Sequence, residues 1–323
     1  MKSRIKRRLP APLLRFLQEV KRDMIRGSRR MAEKAGYNIA RTEDFYSPLP
    51  SETNLLQNIN RWNKPSALAG LHFDLDQQKT LLSDLMRQYY SEFAALPGYA
   101  VNLSAGFGLG YTEVDALLLY AMIRRLKPRH YLEVGSGLST FYCSLAAGLN
   151  NEEHHPLQIT CIEPYPYENL YTVPGVEIIK REVQDVNVQT FTALEAGDVL
   201  FIDSSHVLRI DGDVPYLYLE VLPVIKPGVI VHIHDIPFPY NVPYPAEQWV
   251  LCSAEGAPYW PVFWNEAMLL QAFLAFNPSF EILLSPTLIR YHDEQYLKEN
   301  IPLYKTVREE PNTFSSIWLK RVK

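Results

Sequence analysis

The apolar positions of this chain change period along its length, and the changes mark out its organisation. Over residues 11–32, Leu13, Leu14, Phe16, Leu17, Val20, Met24 and Ile25 recur at steps of three and four among charged residues, which predicts an amphipathic helix. From 35 to 75 the period is lost. Phe45, Tyr46, Pro48, Pro50, Trp62 and Pro65 follow no regular spacing, as in an irregular segment wrapped on a larger body. A helical period returns over 76–95 through Leu81, Leu82, Leu85, Met86, Tyr89, Tyr90 and Phe93.

Beyond residue 100, short apolar runs of strand length alternate with helical stretches. Gly106, Gly108 and Gly110 form a flexible loop, and Thr112 with Asp115 makes a capping pattern before the apolar run from Val114 to Leu126, which Pro128 stops. Strands follow at 130–134, 158–163, 176–180, 198–203, 228–234 and 280–285, with helices at 138–149, 213–223 and 264–276 and a last strand in Ser315–Val322. Such alternation predicts an α/β fold, a doubly wound, mostly parallel sheet with helices on both faces. The chain thus divides into an N-terminal extension, 1–100, and a sheet domain, 101–323. Between strand 228–234 and the next helix, residues 236–263 hold six prolines and seven aromatic residues. A long, stiff, aromatic connection at the ligand rim has the form of a substrate wall or lid.

In a doubly wound sheet, ligands bind beyond the carboxyl ends of the strands, so the residues at those ends carry the chemistry. Strand 130–134 runs through Glu133 into Gly135-Ser136-Gly137, and Ser139 and Thr140 open the next helix. Glycines at a tight turn before a helix start suit a nucleotide-type ligand. Glu133 favours a cationic group, such as the amino group on the methionine part of S-adenosylmethionine, over a pyrophosphate. Glu163 ends the second strand, where a carboxylate accepts both hydroxyls of a ribose, whichever nucleotide is bound. Asp185, after the third strand, is a candidate for an adenine edge. The fourth strand ends in Asp203-Ser204-Ser205-His206 and the fifth in His232-Ile233-His234-Asp235. Strict alternation sets His232 and His234 on one face and turns Asp235 to the other. His232 reads as a core residue. Asp203, His206, His234 and Asp235 suit either a divalent cation or a general base beside a substrate hydroxyl. Asn265 and Glu266 open the following helix toward the same pocket.

Composition narrows the function classes. Residues 1–34 carry 12 Lys and Arg against 3 Asp and Glu, which leaves 20 against 33 for the rest of a chain whose net charge is −4. The acidic body predicts no nucleic-acid partner. The basic N-terminal helix predicts weak peripheral contact with an anionic membrane. Cys143, Cys161 and Cys252 are too scattered for a disulfide framework or thiolate zinc site. No apolar run approaches the roughly 18 residues of a membrane helix, and the N-terminus lacks a secretory pattern. These features together predict a cytoplasmic protein.

The motifs Glu133-x-Gly135-x-Gly137, Glu163, Gly197–Asp203 and Gly228–Asp235 together resemble class I S-adenosylmethionine-dependent methyltransferases, in particular a bacterial subgroup allied with small-molecule O-methyltransferases. The resemblance covers roughly residues 106–285 and implies a seven-stranded Rossmann-like sheet. It implies S-adenosylmethionine as cofactor, bound by Glu133, Gly135, Ser136, Gly137, Ser139, Thr140, Glu163, Asp185 and Asp203. It further implies magnesium or another divalent cation at Asp203, His234 and Asp235, with His234 where an acid is usual, and a catalytic set of His206, Asp203 and Asp235. The acceptor would be a hydroxyl of a small molecule or glycan. Two other readings compete: a nicotinamide-dependent oxidoreductase, against which Glu133 and Thr140 count, and a non-catalytic module that keeps the fold.

Overall fold

The structure, a computed structural model, describes residues 10–41, 45–108, 110–310 and 314–323. Lys2, Arg4, Lys6, Arg7 and Arg8 of the basic cluster lie outside the described residues. Two compact units are present, Met1–Ile59 and Asn60–Lys323. In the first, helix α1 (Ala11–Lys34) buries no residue. Its apolar stripe is open, with Phe16 60%, Met24 68% and Met31 74% exposed. Among the described residues, no helix is long and apolar enough to cross a membrane.

The second unit contains α2 (Leu75–Ala94), α3 (Glu113–Leu126), β1 (His130–Val134), α4 (Leu138–Glu152), β2 (Gln158–Ile162), β3 (Val176–Ile179), β4 (Val199–Ile202), β5 (Ile230–Ile233), α5 (Glu266–Leu274), β6 (Phe280–Leu284), α6 (Pro286–Asn300) and β7 (Ile317–Arg321). The strands form one seven-stranded sheet in the order β3-β2-β1-β4-β5-β7-β6. The ladders from β3 to β5 are parallel, and β7 runs antiparallel to both neighbours. This is the mostly parallel, doubly wound, Rossmann-like sheet that the alternation predicts.

Parallel strands covered on both faces lose the polar alternation of an open sheet, and β4 and β5 are buried at every position. One core packs Tyr131, Cys161, Phe201 and Trp318 against α2, α3 and α4; the other packs Leu132, Ile202, Ile233 and Leu319 against Leu217, Leu270 and Leu274. Helix α3 is apolar nearly all round because it lies within the first core. Its one buried cation, Arg124, bonds to Glu92 of α2 at 2.8 Å and to Glu153 at 2.6 Å.

Two expectations change. Helix α2, assigned above to the extension, contributes Leu82, Leu85, Met86 and Phe93 to the core, so the division between units falls at residue 59 rather than 100. Helix α6 has no counterpart in the predicted elements. Its apolar Leu288 and Ile289 give way at once to Arg290–Gln295, and a kink at Asp293 interrupts the period.

Candidate active site

Strand order reverses at β1, which pairs with β2 on one side and β4 on the other, and the cleft opens at this switch point. Gly135 has φ +88°, and a Cβ there would stand 2.1 Å from the carbonyl oxygen of Asp203. At Gly137 a Cβ would meet the Phe107 carbonyl at 2.6 Å. Both glycines are therefore demanded by the protein's own backbone, where the sequence pattern suggested a ligand. Gly135 still lines the cleft, of about 320 Å³, with Glu163, Glu182, Gln184, Asp203 and Ser204.

Glu133 departs from its expected role. Its side chain is fully buried and accepts hydrogen bonds from Ser139 Oγ at 2.5 Å, Thr140 Oγ1 at 2.6 Å and Cys161 Sγ at 3.3 Å. Thr140 Oγ1 also accepts from the Gly137 amide. The acid and both hydroxyls thus brace the turn from beneath, and neither Glu133, Gly137, Ser139 nor Thr140 reaches the cleft. Ser136 Oγ stands 3.4 Å from Glu163 Oε2, so these two stay at the rim. Asp185 is exposed and lines a neighbouring groove; from the same segment the cleft is lined by Glu182 and Gln184.

At the ends of β4 and β5 the predicted residues converge. His206 Nε2 lies 3.3 Å from Asp203 Oδ1 and 3.4 Å from Asp235 Oδ2. His234 Nδ1 lies 3.3 Å and 3.5 Å from the same two atoms. Asp235 was expected on the opposite face from His234. Its φ of +56° turns the chain back on itself, and His206 takes φ +59°. Non-glycine residues in the left-handed region are strained and concentrate at functional sites. Ligand atoms of Asp203, His206 and Asp235 fall within 4.8 Å of one another, so His206 joins the cluster in which the expected set had His234 as its imidazole.

Each imidazole is held from behind by a buried acid. Glu266, at the start of α5, stands 2.8 Å from His206 Nδ1, and Asp115 stands 3.3 Å from His234 Nε2. The α5 amides of Asn265 and Glu266 donate to the His206 carbonyl, which fixes the strained loop. Asp115 is legible only as part of the capping pattern with Thr112, whose Oγ1 accepts from the Asp115 amide. Ser316 Oγ donates to Asp115 at 3.0 Å and Ser315 Oγ to Asp235 at 2.9 Å; nothing in a Ser-Ser pair signals that service. Burial opposes charge on His206, yet Asp203, Glu266 and Asp235 outweigh it and push the ring up to about 10. His234 is likewise raised, by Asp235, Asp203 and Asp115 against burial. Burial favours the neutral acid at Asp203, but His234 and His206 hold its carboxyl below the usual carboxylate range. His232 stacks on Trp318 at 3.8 Å and is kept neutral by burial, a core residue.

Residues 236–263 wall a cavity of about 450 Å³ that begins at Asp235 and is lined by Pro237, Tyr244, Trp249 and Trp264. Trp264 packs 4.8 Å from His206, so the cavity opens beside the imidazole.

Residues 132–236, about a third of the chain, match the family model described as a methyltransferase domain. An uncharacterised protein of Archaeoglobus fulgidus is 26% identical over 162 residues, 47% of this chain and 72% of that protein. The solved O-methyltransferase from Bacillus cereus in complex with SAH is 13% identical, over 76% of this chain and 96% of its own, with a TM-score of 0.37. The O-methyltransferase TomG from Streptomyces achromogenes, involved in tomaymycin synthesis and solved with SAM, is 15% identical over 84% and 96%, with a TM-score of 0.38.

Burial pushes Glu133 up to about 7, against the pull of its three hydrogen bonds. The folded carboxyl thus binds its proton more tightly than the unfolded one, and stability falls as pH rises from the ordinary glutamate range through about 7. Urea unfolding from pH 5 to 8 is expected to cost the wild type on the order of 2–3 kcal/mol relative to Glu133→Gln; parallel curves would contradict this account of the buried acid.

Proposed function

We propose that the class I S-adenosylmethionine-dependent methyltransferase domain of this chain transfers a methyl group to a hydroxyl of a small molecule or glycan. The observation that supports it best is the position of Asp203. Its carboxylate lines the cleft beyond β1 and also stands 3.3 Å from both His206 Nε2 and His234 Nδ1. Donor and acceptor therefore meet at one side chain.

When bound, S-adenosylmethionine supplies a methyl group on a positively charged sulfur. The cleft would suit it: among its lining residues, Glu163 would offer a carboxylate to ribose hydroxyls and Asp203 a negative charge to the sulfonium. The aromatic wall around Trp249 and Trp264 orients the acceptor and excludes water. Positioning of this kind supplies up to about 7–11 kcal/mol. His206 Nε2 faces Asp203 and Asp235 while Glu266 fixes its other nitrogen; against burial, these acids raise the ring to about 10, so it would serve as an oriented base once a cation at the two aspartates drives its proton off.

Four carboxylates, Asp115, Asp203, Asp235 and Glu266, surround the two imidazoles. Two negative charges stay uncompensated even with both rings protonated. His234 Nδ1, though 3.3 Å from Asp203 and 3.5 Å from Asp235, is buried without a well-aligned hydrogen bond to either. These features fit a divalent cation, which Asp203 and Asp235 with one imidazole would hold. Its charge would drive the proton off the other ring and acidify an acceptor hydroxyl.

The test is calorimetric and enzymatic. S-adenosylhomocysteine is expected to bind saturably and NAD not at all. With tritiated S-adenosylmethionine and a panel of hydroxylated acceptors, His206→Gln should lower methyl transfer by at least about 100-fold while keeping S-adenosylhomocysteine affinity. Chelation should lower the rate, with magnesium or manganese restoring it. Tight NAD binding with no response to S-adenosylhomocysteine would overturn the reading.

For α1 the partner we infer is an anionic lipid surface. The open stripe of Leu13, Phe16, Leu17, Val20 and Met24 runs along a helix that also carries Arg15, Lys21, Arg22, Arg26, Arg29 and Arg30, the combination that binds in the plane of a membrane interface. Sedimentation with phosphatidylglycerol vesicles is expected to fall at least tenfold in a Leu17→Asp, Met24→Asp double variant and at high salt. Equal sedimentation of variant and wild type would refute the contact.

A further inference from the structure

Beside the acceptor cavity lies a second one, of about 540 Å³, and the two share Tyr244. Phe238 and Tyr240 wall it on one side, Arg290, Glu294 and Lys298 of α6 on another, and Arg308 closes the rim. Arg290 is the informative residue. Its guanidinium carbon lies 4.8 Å from the ring centre of Phe314 and 5.8 Å from that of Tyr244. Guanidinium groups stack on aromatic faces and leave their planar edge free for oxyanions.

That edge is unmet. Among the described residues Arg290 forms no ion pair, and its Nη1 is buried without a hydrogen-bond partner. An unsatisfied buried donor is costly, the more so on a charged group, and such groups are rare in native proteins. Burial also pushes the guanidinium below its ordinary range, as expected of a cation short of a counterion. The one acid on the cavity wall, Glu294, is committed to Lys298 at 3.0 Å and to the Tyr304 hydroxyl at 2.7 Å. Arg308 is exposed and forms no ion pair among the described residues. Two positive charges are thus left over at the edge of an aromatic cavity.

We propose that this cavity binds a dianionic phosphoryl group, a phosphate monoester or diphosphate, carried by the methyl acceptor, whose other end passes Tyr244 toward Asp235. The acceptor's role rests on the methyl-transfer reading; the anion site does not. Two free cations match a dianion better than a single carboxylate, and a guanidinium edge matches phosphoryl oxygens in pairs. The acidic cluster at Asp203 and Asp235 repels the same group. The two cavities therefore oppose each other in charge, and the acceptor enters hydroxyl first.

Calorimetric titration of the full chain with inorganic pyrophosphate tests the site. Wild type is expected to saturate, Arg290→Gln to bind at least tenfold more weakly, and Arg308→Gln a few-fold more weakly, with S-adenosylhomocysteine affinity unchanged in both variants. Acetate at equal ionic strength should not saturate. Pyrophosphate affinity equal in wild type and Arg290→Gln, no saturation in wild type, or acetate binding as well as pyrophosphate would each overturn the assignment. If Arg290→Gln does not fold, Arg308→Gln at the exposed rim decides in its place: unchanged affinity there overturns the proposal. Retained S-adenosylhomocysteine binding with no pyrophosphate binding would fault the anion site alone, and the reverse would fault methyl transfer alone.

Discussion

The concentration of ionisable groups at the tips of β4 and β5 is the constraint around which the domain is built. Asp203 and Asp235 sit close enough to the same imidazole nitrogens, 3.3–3.5 Å, that neither carboxylate tolerates the other without a cation between them. Buried charges are costly unless paired and hydrogen-bonded. The fold meets that demand from three directions: α3 through Asp115, α5 through Glu266, and the approach to β7 through Ser315 and Ser316. Two left-handed residues, His206 and Asp235, add backbone strain that only such surroundings hold in place.

The glycine corner serves a different end. Its acid is spent on its own helix start, and its glycines admit the Asp203 and Phe107 carbonyls. By bringing the end of β1 against the end of β4, Gly135 sets how far the cleft lies from the histidine cluster. A motif that reads as ligand contact thus works first as a spacer between strands, with the cleft forming on the far side of Asp203.

Strand and helix positions were largely legible because buried parallel strands and amphipathic helices have distinct periods, and the sheet carries the site. The ends of β4 and β5 were legible too, since an ionisable residue closing an apolar strand is conspicuous. What periodicity cannot convey is direction. The turn-back at Asp235 depends on a single φ, and the burial of Glu133 depends on where Ser139 and Thr140 point. Asp115 reads as part of a capping pattern because its amide donates to the Thr112 cap; its contact to His234 spans 119 residues. Arg290 lay in a helix whose polar run and kink hid the helix itself.

The contributors to the two halves of the site are spread unevenly along the chain. The cleft draws on residues between Val134 and Asp213, whereas the cluster takes Asp115 from before them and waits for Glu266, Ser315 and Ser316. As the polypeptide is synthesised from its N-terminus, the cleft has all its parts long before the histidine cluster. A chain ending before β7 would leave Asp115 and Asp235 without Ser316 and Ser315, so the cluster is complete only once the last strand is inserted between β5 and β6.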